Sequence, residues 1–329
     1  MFGMRFDFRV AEGGVPRPEL YRAALDMAAW AETRGGNSVA VTEHHSDADG
    51  YLPSPLIMAA AFAARTEIAV VSVAIFQLPL YNPVRLAEEI CVLDNLSNGR
   101  IRYIGGIGYV PYEYEMHGVD YHRRGKISEE YLTILLKAVT GEEFVHEGRR
   151  IKVTPPPVTP GGPSIGWGGG SAPAARRAGR FGMDFLGQRS DPVLREAYDQ
   201  GCREGGHEPG NFYMSRAEDP AVIFVAEDVD AAWEEIGPYL MNDVLGYAQW
   251  YEGKDGERGD SNSISFAQTW QELRAENRSH VILSVDEAVR LVQAGGRLSL
   301  HPLIGGLPPE IAWRYLETVA EKVVPAAKA

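Results

Sequence analysis

The sequence predicts an α/β fold, a single (β/α)8 barrel, because strand-like and helix-like stretches alternate from one end of its 329 residues to the other. Two observations narrow this. The apolar run Val39-Ala40-Val41 stops abruptly at Thr42-Glu43-His44-His45, which is how a buried parallel strand delivers titratable groups at its carboxyl edge. Helical patterns flank it, with Leu20, Ala23, Ala24, Met27 and Ala31 before and the nearly all-apolar stretch from Ser54 to Ala64 after, so the strand sits in a βαβ arrangement. Division by ~150 residues per domain suggests two domains, but α/β barrels exceed ~250 residues as one, so residues 1–329 are expected to form one domain.

In order, the pattern predicts a strand from Met4 to Val10, a helix from Pro18 to Arg34, a strand from Ser38 to Thr42, a helix from Ser54 to Ala64 and a strand from Ile68 to Phe76. A helix from Pro83 to Leu96 follows, opened by a proline suited to a first helical position. After the Asn98-Gly99 stop comes a strand from Arg100 to Ile107, where Gly105, Gly106 and Gly108 leave room for a flat ligand against bare backbone. The next helix runs from about Gly125 to Thr140. Residues 141–163, punctuated by Pro155-Pro156-Pro157 and Gly161-Gly162-Pro163, read as an extended insertion. The period resumes with a strand from Ser164 to Gly168, a helix from Ala172 to Gly179, a strand from Asp184 to Gln188, a helix from Pro192 to Gly205, a strand within Ala221 to Ala226 and a helix from Val229 to Leu245. Around residues 251–280 it breaks at a polar, glycine-rich segment, expected to be a mobile lid open to trypsin near Lys254 and Arg258. A helix from Val285 to Ala294, a strand from Arg297 to His301 and a helix from Pro309 to Val323 finish the count at about eight units.

Composition excludes several classes. A formal charge of -13, from 45 acids against 32 Lys plus Arg, offers no cationic face for nucleic acid or an anionic membrane. Two cysteines, Cys91 and Cys202, argue against a disulfide framework, and Cys91 reads as core. The longest apolar run, Pro55 to Ala64, is far short of the ~20 residues that span a bilayer, and no signal core opens the chain, so a cytoplasmic protein is expected. The helix from Pro55 to Ala64 is apolar on almost every face and Leu86, Ile90 and Leu93 stripe the next one, which predicts a homodimer packed through both.

Thr42-Glu43-His44-His45, then Pro55, Arg65-Thr66, Pro79, Pro83-Val84-Arg85-Leu86-Ala87-Glu88 and Leu93-Asp94-Asn95-Leu96-Ser97-Asn98-Gly99-Arg100, resemble in order and spacing the bacterial luciferase-like flavin-dependent monooxygenases. Trp167-Gly168-Gly169-Gly170-Ser171 and the final strand and helix extend the likeness, which is weak over 141–163 and 251–281. The resemblance implies reduced FMN at the carboxyl ends of the strands and His44 as catalytic base. Adjacent side chains at a strand end point to opposite sides, so His44 and His45 cannot both face the flavin; His45 is assigned to packing or a hydrogen bond behind the site. A non-proline cis peptide at Ala74-Ile75 is implied as well, with Glu43, Ala74, Ile75, Gly106, Gly169, Gly170, Ser171 and Gln188 as cofactor-binding residues and no metal. The turn from Gly168 to Pro173 offers free N–H groups and a cap hydroxyl at Ser171 to a phosphate. Arg176 and Arg177 lie one turn further in, where solvent is an equal destination. Luciferase carries a reactive Cys and a basic residue at the end of its fourth strand where this chain has Gly106 and Ile107, so a non-luminescent relative is expected.

The expected activity is oxygenation of a small organic substrate by reduced FMN and O2, with a separate flavin reductase among the partners considered. An F420-dependent hydride transfer within the same superfamily, a flavin-binding protein without catalysis, and a metal-dependent hydrolase using His44 or His45 with Asp47 and Asp49 are the alternatives.

Overall fold

The structure is a computed structural model that describes residues 1–10, 13–216, 219–250 and 264–328. Along the chain the strands are β1 Phe2–Phe6, β2 Gly36–Val41, β3 Val70–Gln77, β4 Ile101–Gly106, β5 Phe144–His146, β6 Arg149–Ile151, β7 Ile165–Gly169, β8 Phe185–Gly187, β9 Phe212–Met214, β10 Val222–Ala226, β11 His280–Ser284 and β12 Leu298–Leu300. Ten of them form one sheet in the order β11, β10, β12, β1, β2, β3, β4, β7, β8, β9, with parallel pairing throughout. The chain's last strand returns beside its first, Phe2 opposite Leu298, as it must when βα units curl into a barrel. Among the described residues the end strands β9 and β11 are not hydrogen-bonded to each other. The architecture is the expected (β/α)8 type.

Local chemistry sets the helix ends. Asn82 accepts the N–H groups of Val84 and Arg85 to start the helix Pro83–Ser97, and Asn98, at φ 52°, turns the chain out of it. That helix packs against the helices Pro55–Arg65 and Arg124–Ala138, which puts Leu86, Ile90 and Leu93 into the chain's own core. The stripe expected to face a second copy is therefore unavailable to it. What the two helices leave outside is Ile57, 70% exposed, with Val92 and Leu96, each 49% exposed.

Other differences from the expectation have local causes. β1 stops at Phe6, because Phe8 adopts φ 64° and carries Asp7 and Arg9 off the sheet into buried positions. Residues 141–163 hold an antiparallel hairpin of β5 and β6. Helix Pro111–Met116, strand β9, helix Trp270–Glu276 and strand β11 fall where no periodic pattern is long enough to announce them. Of the expected lid, residues 251–263 lie outside the described residues, and the remainder carries helix Trp270–Glu276, capped by Thr269. No helix among the described residues is long and apolar enough to cross a membrane.

Candidate active site

The end of β2 releases Glu43, His44 and His45 into a loop where all three are buried. The two imidazoles diverge, as neighbours on an extended chain must. His44 Nδ1 lies 2.9 Å from Glu113 Oε1 and its Nε2 3.3 Å from the Tyr109 hydroxyl, while the ring stacks on Trp250 at 3.9 Å. His45 Nε2 is 2.8 Å from Glu43 Oε1, and its ring meets His117 edge-on. Glu113, on the short helix Pro111–Met116, also accepts the His45 backbone N–H at 2.8 Å and the Gln77 amide at 2.8 Å. Glu43 in turn accepts the Gln77 backbone N–H and the Tyr81 hydroxyl. Gly108, at φ 66°, allows this, because a Cβ there would run into the Gln77 amide.

Two buried carboxylates thus hold two imidazoles. Burial works to raise the Glu113 carboxyl, but the hydrogen bonds it accepts from His44, the His45 N–H and the Gln77 amide outweigh it and hold the group below the usual carboxylate range. For His45 burial pulls down, and the hydrogen bond and charge of Glu43 more than offset it, leaving the imidazole raised. An ionised Glu113 accepts from His44 Nδ1–H, so Nε2 is the nitrogen left to accept a proton, and it faces Tyr109. Sequence reasoning missed Glu113. Its only signal is an acid inside Pro111-Tyr112-Glu113-Tyr114, soon after a glycine-rich strand end.

The cofactor-binding candidates gather along neighbouring strand ends. Glu43 follows β2, Ala74 and Ile75 belong to β3, Gly106 ends β4, Gly169 ends β7, and Gln188 follows β8 and donates its N–H to the Gly169 carbonyl at 3.2 Å. The Ala74–Ile75 peptide is cis, as implied, and the β3–β4 register shifts there. The Ile75 side chain lies over Gly106 and Gly168, where added Cβ atoms would come within 2.7 and 2.5 Å of it. Gly170 and Ser171 lead into helix Ala172–Arg180, whose start Ser171 caps by position only; its hydroxyl makes no capping hydrogen bond. Arg176 is exposed and paired with Glu204. Arg177, by contrast, is 7% exposed, ion-paired to Glu129 at 3.3 Å, and its Nη1 finds no partner among the described residues. Burial draws its guanidinium below the usual range. Arg124 Nε is likewise unpartnered, and Arg177 Nη2 reaches Gly125 at the start of helix Arg124–Ala138.

Asp47 and Asp49, offered as metal ligands beside a histidine, face Arg9 instead, at 3.9 and 2.5 Å. Arg9 also lies 3.6 Å from Asp243 and over the rings of Tyr51, Tyr247 and Trp250. Asp7, Asp243 and His301 bring ligand atoms within 4.8 Å of one another, but Arg5 donates to His301 Nδ1 and Arg9 neutralises the carboxylates, so the group carries its own cations. Two cavities flank the site, one of about 710 Å³ lined by Glu43, His45, Tyr81, His117, Ile57 and Val92, and one of about 670 Å³ lined by Arg17, Asp47, Asp49 and Gln249. Neither is lined by Ile75, Gly106, Gly169 or Gly170.

Comparison with known proteins gives the chain's family and shared fold. An uncharacterized protein of Sinorhizobium fredii is 35% identical over 134 residues, 41% of this chain and 38% of that protein. The 4-hydroxyprotoasukamycin monooxygenase of Streptomyces nodosus is 30% identical over 121 residues, 37% and 33% of the two chains, so the match spans well under half of either relative. Solved structures match over nearly the whole length: monooxygenase RslO1 of Streptomyces bottropensis (TM-score 0.77, 20% identity, 99% of each chain) and the FMN-bound oxygenating constituent of 3,6-diketocamphane monooxygenase of Pseudomonas putida (0.70, 22%, 98% and 97%). An F420-dependent secondary alcohol dehydrogenase with an F420-acetone adduct matches at 0.66 and 17% over 100% of both chains. The profile of one family, luciferase-like monooxygenase, matches residues 1–290, and the chain belongs to that family.

Proposed function

We propose that the chain, acting as one barrel domain, uses reduced FMN and O2 to oxygenate a small organic substrate, with His44 as base. Members of the family are monooxygenases and related oxidoreductases, and the fold is shared with proteins that bind FMN and F420. The observation that carries the reading is the His44–Glu113 pair: a buried acid fixes Nδ1 as the donor and turns Nε2 toward the aromatic mouth at the strand ends. The flavin supplies the electrons and the oxygen chemistry. Its phosphate end fits the residues present. Gly169 and Gly170 expose backbone and the Ser171 hydroxyl is uncommitted as a cap, while Arg124 and Arg177, each with an unpartnered guanidinium nitrogen, lie at the start of helix Arg124–Ala138. Glu43, Ala74, Ile75, Gly106 and Gln188 complete the proposed cofactor contacts.

F420 is the second reading, supported by the barrel shared with the F420-dependent dehydrogenase. Anaerobic titration with reduced FMN and with reduced F420, followed by admission of O2, separates the two. Oxygen-dependent product with FMN supports the proposal, and product with F420 in the absence of oxygen replaces it. A separate flavin reductase would supply the reduced cofactor in the cytoplasm. The exposed Ile57 and Val92, on helices packed side by side, support a homodimer through that face.

A further inference from the structure

Trp250 follows directly on the helix Val229–Gln249 as its C-cap and is only 6% exposed. Its indole stacks on the His44 imidazole at 3.9 Å and 29°. Tyr247, Tyr51 and Tyr109 stand around it at 5.2, 5.7 and 6.3 Å, inclined by 87°, 63° and 71°, and Arg9 lies over the ring at 5.3 Å. One stacked face with steep edges around it is the arrangement that aromatic quadrupoles favour for a flat ring, and a cation over a ring adds to it. At its rim the indole N–H donates to the Tyr112 hydroxyl at 3.2 Å. The enclosed ring covers the imidazole whose Nε2 is turned toward the mouth. A substrate that stacks on His44 must therefore take the place the indole holds.

Resting on the assignment of His44 as base, we propose that this slot binds a planar, electron-rich aromatic substrate bearing a hydroxyl or N–H at its edge, and that Trp250 fills the slot until the substrate displaces it. A flat ring inherits the His44 stack and the tyrosine edges; an edge hydroxyl inherits the Tyr112 contact or reaches His44 Nε2. Trp250 lies one residue past the end of the helix, so the indole can leave the slot without moving the helix. A flexible alkyl chain satisfies none of the ring contacts.

The test is calorimetric titration of the full chain, wild type and Trp250→Ala, with 1-naphthol and with decanal, which has the same number of carbons. If the indole holds the slot about nine-tenths of the time, its removal tightens naphthol binding about tenfold, while decanal binds more weakly than naphthol to both proteins. Equal affinity for decanal, or naphthol affinity unchanged in Trp250→Ala, overturns the proposal. Titration of FMN in parallel keeps the two readings apart. FMN tightened by the substitution with naphthol unmoved places the indole in the flavin's position and overturns the slot assignment. Naphthol behaving as stated while neither FMN nor F420 binds supports the slot and removes the cofactor reading.

Discussion

With His44 as the proposed base, what matters is which ring nitrogen keeps a proton. Glu113→Gln preserves shape but presents an amide that can donate to Nδ1, which favours the tautomer with hydrogen on Nε2 and so removes the base. Turnover should fall by about 10²- to 10⁴-fold, as in His44→Ala, with flavin affinity retained, and single-turnover kinetics at saturating cofactor measure it. A Glu113→Gln protein with unchanged turnover would show that the acid does not orient the base. His45 gives a different readout. Its folded pKa is raised, so its pairing with Glu43 stabilises fully below the unfolded value of 6.5 and fades as pH rises through the folded value. Glu113 is lowered, so its contribution is present above 4.5 and fades as pH falls through its folded value. The melting temperature of His45→Gln should therefore lie furthest below wild type between about pH 5 and 6.5 and converge on it at higher pH. A gap that widens above pH 7 would contradict the pairing.

Among the elements, the turn between β7 and helix Ala172–Arg180 holds two proposed phosphate-binding glycines in different surroundings. A Cβ on Gly169 would lie 2.7 Å from that of Ala174, whereas one on Gly170 meets only Gln188 atoms at 3.6 and 3.9 Å. Gly169→Val should lower stability by roughly 1–3 kcal/mol through overpacking, and Gly170→Val should leave the melting curve near wild type while weakening flavin at least tenfold. Unchanged flavin affinity in Gly170→Val would remove the phosphate from this turn. Arg177→Met extends the test, since a buried guanidinium with an unpartnered Nη1 contributes little to folding and much to holding an anion. Its flavin affinity should drop while its melting temperature holds or rises.

For the whole molecule, the apolar surface left on the two helices beside β2 and β3 is a narrow one. Ile57→Asp combined with Val92→Asp places charge on two of the exposed apolar side chains without entering the core. If that face joins two copies, light scattering at micromolar concentration should shift from dimer to monomer mass, with the melting curve of the monomer still cooperative. A wild-type monomer, or a dimer untouched by both charges, would end the idea.

How much of this the sequence held depends on the range of the interactions concerned. Periodicity and strand-stop chemistry are local, so the barrel class and the strand delivering Glu43, His44 and His45 were legible, and the motif order brought the strand-end residues from Ala74 to Gln188 with them. The opposite facing of His44 and His45 is equally local, a consequence of backbone alternation. What each imidazole faces is not. Glu113 reaches His44 across 69 positions, from a helix of six residues too short to show a period. Trp250 comes to the same ring from about 200 positions further along the chain, and Arg177 and the Leu86, Ile90 and Leu93 stripe exchange solvent for core only when neighbouring helices pack over them. The sequence by itself determined which groups reach the barrel's edge. Tertiary packing decided which of them are buried, paired and aimed, because burial and pairing are set by neighbours far away in the chain.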